Sequence, residues 1–268
     1  MHTPCFHLED VQSTKAQHPL AIDRVGIKDF HIPLVVRDLA HEKQHSIAKV
    51  DMSVDLPADF KGTHMSRFIE ALEEWRENAE EKLDYASLKA LLEQVRSKLN
   101  AQKAFISFDF SYFITKSAPV SGAKAPVCYQ CRFTGEWDKT WDKPIFLIEM
   151  EVPVTTVCPC SKAISEYGAH GQRTYIKMQI KLSKFSWMEE FIHIAEKAGS
   201  APIYAVLKLP DEKFVTEQAY ENAYFVEDVV RNVAYHLDSH EHVEWYKVIV
   251  ESHESIHGHN AFAVIEKK

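Results

Sequence analysis

The chain has 268 residues, 46% hydrophobic and 26% charged, enough apolar material for one large or two small cores without disulfide staples. A formal net charge of −8 argues against a broad nucleic-acid surface, while leaving room for a small cationic pocket suited to a phosphorylated metabolite. No apolar run approaches the roughly 18 residues that span a bilayer, and the N-terminal MHTPCFHLEDVQ lacks the basic-then-apolar pattern of a signal peptide. Five cysteines, an odd number, suit reduced thiols or metal ligands better than a disulfide framework. The expectation is a cytoplasmic protein whose partners are small molecules and copies of itself, with no nucleic acid and no membrane.

Residues 1–24 are polar and aperiodic and read as a lead-in. FHIPLVVRD (30–38) and HSIAKVDMSVDL (45–56) follow as strands, the second alternating Ala48, Val50, Met52 and Val54 against Ile47, Lys49, Asp51 and Ser53. MSRFIEALEEW (65–75) and YASLKALLEQVRSKL (85–99) carry apolar residues at helical spacing. AFISFDFSYFI (104–114) and PVCYQCRFTGEW (126–137) return to the strand pattern. The second half repeats the order. PIFLIEMEVPVTTV (144–157) and QRTYIKMQIKL (172–182) read as strands, WMEEFIHIAEKA (187–198) and AYFVEDVVRNVAYHL (223–237) as helices, and VEWYKVIVES (243–252) and NAFAVIE (260–266) as strands. Two ββααββ modules, 25–140 and 141–268, therefore fit better than an alternating parallel α/β fold. Each would be an antiparallel sheet with a helix pair on one face. Open sheet edges favour edge-to-edge pairing into a barrel on oligomerisation.

Chemistry concentrates in the second half. Cys158 and Cys160 stand one residue apart behind a β-branched run. If the strand continues through Pro159, both thiols face one side at its end, where one or both can ligate a cation with help from His or carboxylate elsewhere. Two small buried hydrophobes are the competing reading. Cys128 and Cys131 form a CxxC inside a strand pattern, with neither a helix N-terminus nor a second pair, and read as structural. His170, in Gly-Ala-His-Gly, is either a solvated turn residue or a proton-transfer group. ESHESIHGHN (251–260) lies between two strands and offers Glu254 and His257 as ligand types. Glu212 falls in LPDEKFVTEQAY, read as a long connection between two helices. Glu227 falls in a helical pattern, where its default role is a solvated charge.

Together CPCSK (158–162), GAHGQR (168–173), DEKFVTEQAY (211–220), FVEDVVR (225–231), ESIHGHNA (254–261) and KGTHMSRF (61–68) resemble type IB GTP cyclohydrolase I over nearly the whole chain. That resemblance implies an α+β tunnelling fold with two ββααββ modules per chain, assembled as a homotetramer with active sites near subunit interfaces. It implies hydrolytic opening of the GTP imidazole ring by water, release of formate and closure to 7,8-dihydroneopterin triphosphate, the entry to folate and, in many bacteria, queuosine synthesis. By motif, Cys160 or Cys158, Glu212, Glu254 and His257 become ligands of a divalent metal (manganese, zinc or iron), and Cys158, Cys160 and His170 catalytic residues. Glu227 becomes the guanine anchor, and Lys162, Arg173, Lys213 and Arg67 candidates for the triphosphate. Two alternatives stay open on sequence: a tunnelling-fold 7-deazaguanine nitrile reductase, whose expected Glu-Ser-Lys-Ser pattern is missing here, and a nonenzymatic purine-binding protein.

Overall fold

The computed structural model describes residues 10–78 and 83–268, so residues 1–9 of the expected lead-in lie outside the described residues. The described chain runs β1 (Ile22–Asp38), β2 (Glu42–Leu56), α1 (Met65–Asn78), α2 (Tyr85–Lys98), β3 (Lys103–Ser117), β4 (Lys124–Asp138) and β5 (Ile145–Val157). It continues with α3 (Pro159–Ile164), β6 (Gly171–Leu182), α4 (Met188–Ala198), β7 (Ala201–Pro202), α5 (Leu209–Glu221), α6 (Val226–Asp238), β8 (Val243–His253) and β9 (Ala261–Glu266). The strand order is β1-β2-β3-β4-β5-β6-β8-β9, with β7 pairing with β5. No helix among the described residues is long and apolar enough to cross a membrane.

The expected strands form because their side chains alternate. On β2, Ala48, Val50, Met52 and Val54 are buried, as the period-2 pattern requires. β1 begins at Ile22, ahead of the expected Phe30, because its first half is solvated and shows no apolar alternation to read.

Two compact units divide the chain. The first comprises the described residues up to Val36, Ile47–Phe108 and Thr134–Ile145; the second comprises Arg37–Ser46, Asp109–Phe133 and Phe146–Lys268. In the first, α1 packs against α2, burying Phe68, Leu72, Trp75, Leu88, Leu91, Leu92 and Val95. Asp84 starts α2 with a reciprocal cap, its carboxylate accepting the Ser87 N–H while the Ser87 hydroxyl accepts the Asp84 N–H. In the second, Met150, Val152 and Val154 of β5, Ile176, Met178 and Ile180 of β6, and Tyr246, Val248 and Val250 of β8 turn to one face. α6 packs on β8 and β9 and against α4, with Val229, Val230, Val233 and Leu237 buried at helical spacing.

Two local expectations are corrected. The strand does not run on through Pro159: β5 stops at Val157, Cys158 is the N-cap of α3, and Pro159 occupies its first turn, the position where a missing N–H and a fixed φ cost a helix nothing. The long connection that holds Glu212, between α4 and α6, contains a helix of its own, α5, which the sequence reading did not assign.

Candidate active site

Backbone pairing brings the motif-bearing ends together. Val157, the last residue of β5, pairs with Gly171, the first of β6, and Thr156 pairs with Gln172. One step further, Arg173 pairs with His253, the last residue of β8. The CPC turn, the GAHG turn and the 254–260 loop therefore leave the same end of the sheet. Beneath them sits a small apolar cluster of Val157, Ala201 and Ala219, with Ala169, Val215 and Ala223 packed against it. Val157 adjoins the CPC turn, Ala169 adjoins His170, and Val215 and Ala219 lie on α5 with Glu212, so this cluster packs those segments together. The Ser200 hydroxyl accepts the buried Val157 N–H at 3.1 Å, and the Val157 carbonyl accepts the Tyr224 N–H at 3.1 Å. The second bond holds the approach to α6 against the end of β5.

Ser161 stitches the CPC turn to the histidine turn. Its N–H reaches the Cys158 sulfur at 3.5 Å and its hydroxyl donates to the Cys158 carbonyl at 3.1 Å. The same hydroxyl accepts the His170 N–H at 3.2 Å, and the His170 carbonyl accepts the Cys158 N–H at 3.0 Å. Cys158 is thus half-buried with its sulfur engaged as a cap, whereas Cys160 is exposed. Gly168 has φ of 113°, in the region that glycine adopts without strain, and lets the chain turn back to place His170.

The His170 ring lies with Nδ1 at 3.0 Å from Gln172 Oε1 and 3.4 Å from the Ser255 hydroxyl. The Gln172 amide donates to Glu254 at 3.5 Å. His170, Gln172 and Glu254 thereby form one chain across two strands, and Gln172 and Ser255 are residues that periodicity and spacing do not single out. His257 stands on the exposed part of the loop, its ring 5.3 Å from that of His259.

Glu212 is exposed on the first turn of α5, and its neighbour Asp211 explains how that turn is held. Asp211 is fully buried. Its carboxylate accepts the N–H groups of Val120 and Ser121, both at 2.8 Å, the Ser121 hydroxyl at 2.6 Å and the Lys208 N–H at 2.8 Å. Burial alone would raise its pKa, but these donors, the Ser121 hydroxyl foremost, hold it well below the usual carboxylate range. The β3–β4 hairpin end is so clamped to the start of α5. A second clamp lies close by in sequence: Lys116 donates to Glu196 at 2.6 Å and to the Ile203 carbonyl at 2.7 Å.

Glu227 sits in the first turn of α6, exposed in the single chain. Lys162 donates to the Tyr220 carbonyl at 2.5 Å and lies over the Tyr220 ring, tied to the C-terminal end of α5. Lys213 pairs with Glu217 on the surface of α5. Arg173 is exposed on β6. Arg67, in the other compact unit, donates to the Lys98 carbonyl at 3.2 Å. Cys128 is exposed and Cys131 buried on β4, the alternation of an ordinary strand, and burial pushes the Cys131 thiol far up from its ordinary pKa.

The thiolate, carboxylate and imidazole types present suit a borderline divalent cation. Among the described residues, however, no three His, Cys, Asp or Glu side chains gather closely enough to hold one. Cys160, Glu212, Glu254 and His257 belong to three segments that the fold brings near one another without closing a shell within one chain.

A family model described as type I GTP cyclohydrolase folE2 matches residues 8–263. The GTP cyclohydrolase FolE2 of Nitratidesulfovibrio vulgaris strain Hildenborough is 56% identical, over 97% of this chain and 96% of its own. That of Desulfovibrio desulfuricans is 54% identical over 97% of this chain and 98% of its own, and that of Caldicellulosiruptor bescii 48% identical over 96% and 97%. Among solved structures, the urate oxidase from Bacillus sp. TB-90 aligns with a TM-score of 0.56 at 9% identity, covering 92% of this chain and 99% of that one. The uricase from Arthrobacter globiformis aligns with a TM-score of 0.50 at 10% identity, covering 92% and 94%. At that identity the likeness speaks for the fold alone: an α+β tunnelling fold built on an antiparallel sheet.

Proposed function

The chain belongs to the type I GTP cyclohydrolase folE2 family, and from that premise we infer how its own residues serve the reaction. It is a GTP cyclohydrolase: water adds at C8 of the guanine, that carbon leaves as formate, and the ring recloses with the rearranged ribose to 7,8-dihydroneopterin triphosphate, the first step of tetrahydrofolate synthesis. The observation that carries the reading of the site is the convergence of the CPC turn, His170 and Glu254 at one end of the sheet.

In this reading the Glu227 carboxylate accepts the guanine N1–H and exocyclic amine, a charge-assisted pair that rejects purines lacking either donor. Its exposure in the single chain means that the dry surroundings such a pair needs come from a neighbouring copy. A homo-oligomer, probed first as a tetramer with a barrel closed by edge pairing, is therefore part of the proposal. His170 moves the proton at the carbon being opened. Cys158 holds the turn on which Cys160 is presented. Arg173, Lys162, Lys213 and Arg67 are the cations available to the triphosphate. Cys160, Glu212, Glu254 and His257 are the ligands proposed for a divalent ion, manganese, zinc or iron, which would make its bound water acidic enough to supply hydroxide near neutral pH. The setting is the cytoplasm, where GTP is at hand and thiols stay reduced.

The test is an assay of formate and oxidised fluorescent pterin, with protein stripped of metal and reloaded separately with manganese, zinc and iron. Release of one formate per pterin is expected with at least one metal. Stoichiometric GTP binding with no formate from any of the three would overturn the reading.

A further inference from the structure

The buried positions of α5 are Asp211 and Ala219, so no apolar stripe fixes how this helix is turned or tilted. Positions 211, 215 and 219 recur every four residues and lie along one side of the helix. Val215 and Ala219 pack on that side against Val157 and Ala201, while the first turn is seated by the Asp211 carboxylate. Both of its oxygens are fully engaged. Oδ1 accepts the Val120 and Ser121 N–H groups, and Oδ2 accepts the Ser121 hydroxyl and the Lys208 N–H. The β3–β4 loop that supplies three of these donors is closed on itself: the Ala118 N–H donates to the Ala123 carbonyl at 2.8 Å and the Gly122 N–H to the Ala118 carbonyl at 3.1 Å. Gly122 takes a φ of 68° there, which glycine adopts without strain.

Glu212 is the next residue, about 100° round the helix from Asp211, and it is exposed. Asp211 and Ala219 stand about 12 Å apart along the helix axis. Without the carboxylate the first turn can swing about the Ala219 end, and a tilt of about 10° carries Glu212 about 2 Å. That is roughly ten times the 0.2 Å or so within which a metal–ligand distance must fall. We propose that Asp211 is a positioning residue: by clamping the first turn of α5 to the β3–β4 loop, it sets the direction in which Glu212 is presented. Asp211 is not itself a ligand, since protein donors occupy both of its oxygens. The support of the site thereby extends to Ser121, 90 positions away in sequence. The inference rests on Glu212 as a metal ligand.

The experiment is a chelator competition that measures the affinity of the purified protein for manganese and for zinc, run beside urea unfolding. Asp211→Asn keeps the size of the side chain but leaves one acceptor oxygen and turns an NH2 towards groups that donate. It should weaken metal binding about 10–100-fold, the usual cost of losing a partner that orients a ligand. Glu212→Gln should weaken it at least as much, and the double variant should bind no more weakly than Glu212→Gln alone, because Asp211 acts through Glu212. A merely structural role would instead lower the urea midpoint at unchanged affinity, the behaviour expected of Asp138→Asn in the other compact unit. Should Asp211→Asn fail to fold, Ser121→Ala removes a single donor and should lower the affinity about 2–10-fold, the worth of one hydrogen bond. Wild-type affinity in folded Asp211→Asn, or in Ser121→Ala where Asp211→Asn does not fold, overturns the proposal, as do losses that add in the double variant. Wild-type affinity in Glu212→Gln would overturn the ligand role and the proposal with it. That result is distinct from an impaired Glu212→Gln beside an unimpaired Asp211→Asn, which removes the positioning alone.

Discussion

Replacing Lys116 by Met tests the clamp behind α5. The ammonium and the Glu196 carboxylate are only 12% and 11% exposed and 2.6 Å apart, so solvent screens them weakly. Lys116 also satisfies the Ile203 carbonyl and lies 4.4 Å from the centre of the Tyr204 ring, while the Tyr129 hydroxyl donates to the same Glu196 oxygen at 2.7 Å. Burial raises the Tyr129 phenol far above its ordinary pKa and the Glu196 charge adds to it, so Tyr129 stays a donor throughout the accessible pH range. Methionine keeps most of the length of the side chain and removes its charge, leaving the Glu196 carboxylate with the Tyr129 hydroxyl and the Ile203 carbonyl without the Lys116 donor. Breaking a buried pair from one side costs about 3–5 kcal/mol. At roughly 2–4 °C per kcal/mol for a chain of this size, the melting temperature should fall by about 6–20 °C. Urea unfolding at fixed protein and metal concentration measures the loss as a shift in midpoint at constant slope. Combining Lys116→Met with Glu196→Leu should restore part of it, with a coupling of about 1–3 kcal/mol. A single-variant loss below about 1 kcal/mol, the value of an exposed pair, or strict additivity of the two changes, would refute the reasoning.

Glu227→Gln should reduce kcat/KM for GTP by about 10²-fold or more while leaving the melting temperature near wild type, since an exposed first-turn residue loses a guanine acceptor without losing core packing; steady-state kinetics beside a thermal melt check both. Cys160→Ser should lower metal content and turnover together, whereas Cys158→Ala, which removes a cap rather than a proposed ligand, should cost mainly stability, about 1 kcal/mol. Metal analysis with single-turnover formate release separates them, and loss of metal only in Cys158→Ala would reverse the roles. Asp138 supplies a pH signature in the first compact unit. The Thr140 N–H and hydroxyl, with Lys103 beyond them, hold its carboxyl at about 2, below the roughly 3.9 of an unfolded chain. The stabilisation is therefore present above pH ~4 and is lost as pH falls through about 2. Urea midpoints between pH 5 and 2 should drop less steeply in Asp138→Asn, and parallel curves would exclude Asp138 as a source of the acid sensitivity.

The strands and most helices were legible in the residues because their cores are built by periodicity. Ala48, Val50, Met52 and Val54 alternate on β2, and Val229, Val230, Val233 and Leu237 recur on α6. α5 escaped that reading for a physical reason: its buried positions are Asp211 and Ala219, so the helix is seated by a charged cap and a small-residue contact rather than by an apolar stripe. The turn at Cys158 escaped it because a strand and a proline-started helix meet at one residue, and the β-branched run before it continues the strand pattern up to the break. The chemical types at the site, thiol, imidazole and carboxylate, could be read from the motifs alone. That His170 reaches Glu254 through Gln172 could not, because Gln172 at the start of β6 and Glu254 just past the end of β8 are far apart in sequence and meet only through the register of β6 on β8. Residue chemistry is local and survives in a string of letters; which atoms face one another depends on hydrogen-bond register, and register is settled by the whole sheet packing its apolar face at once.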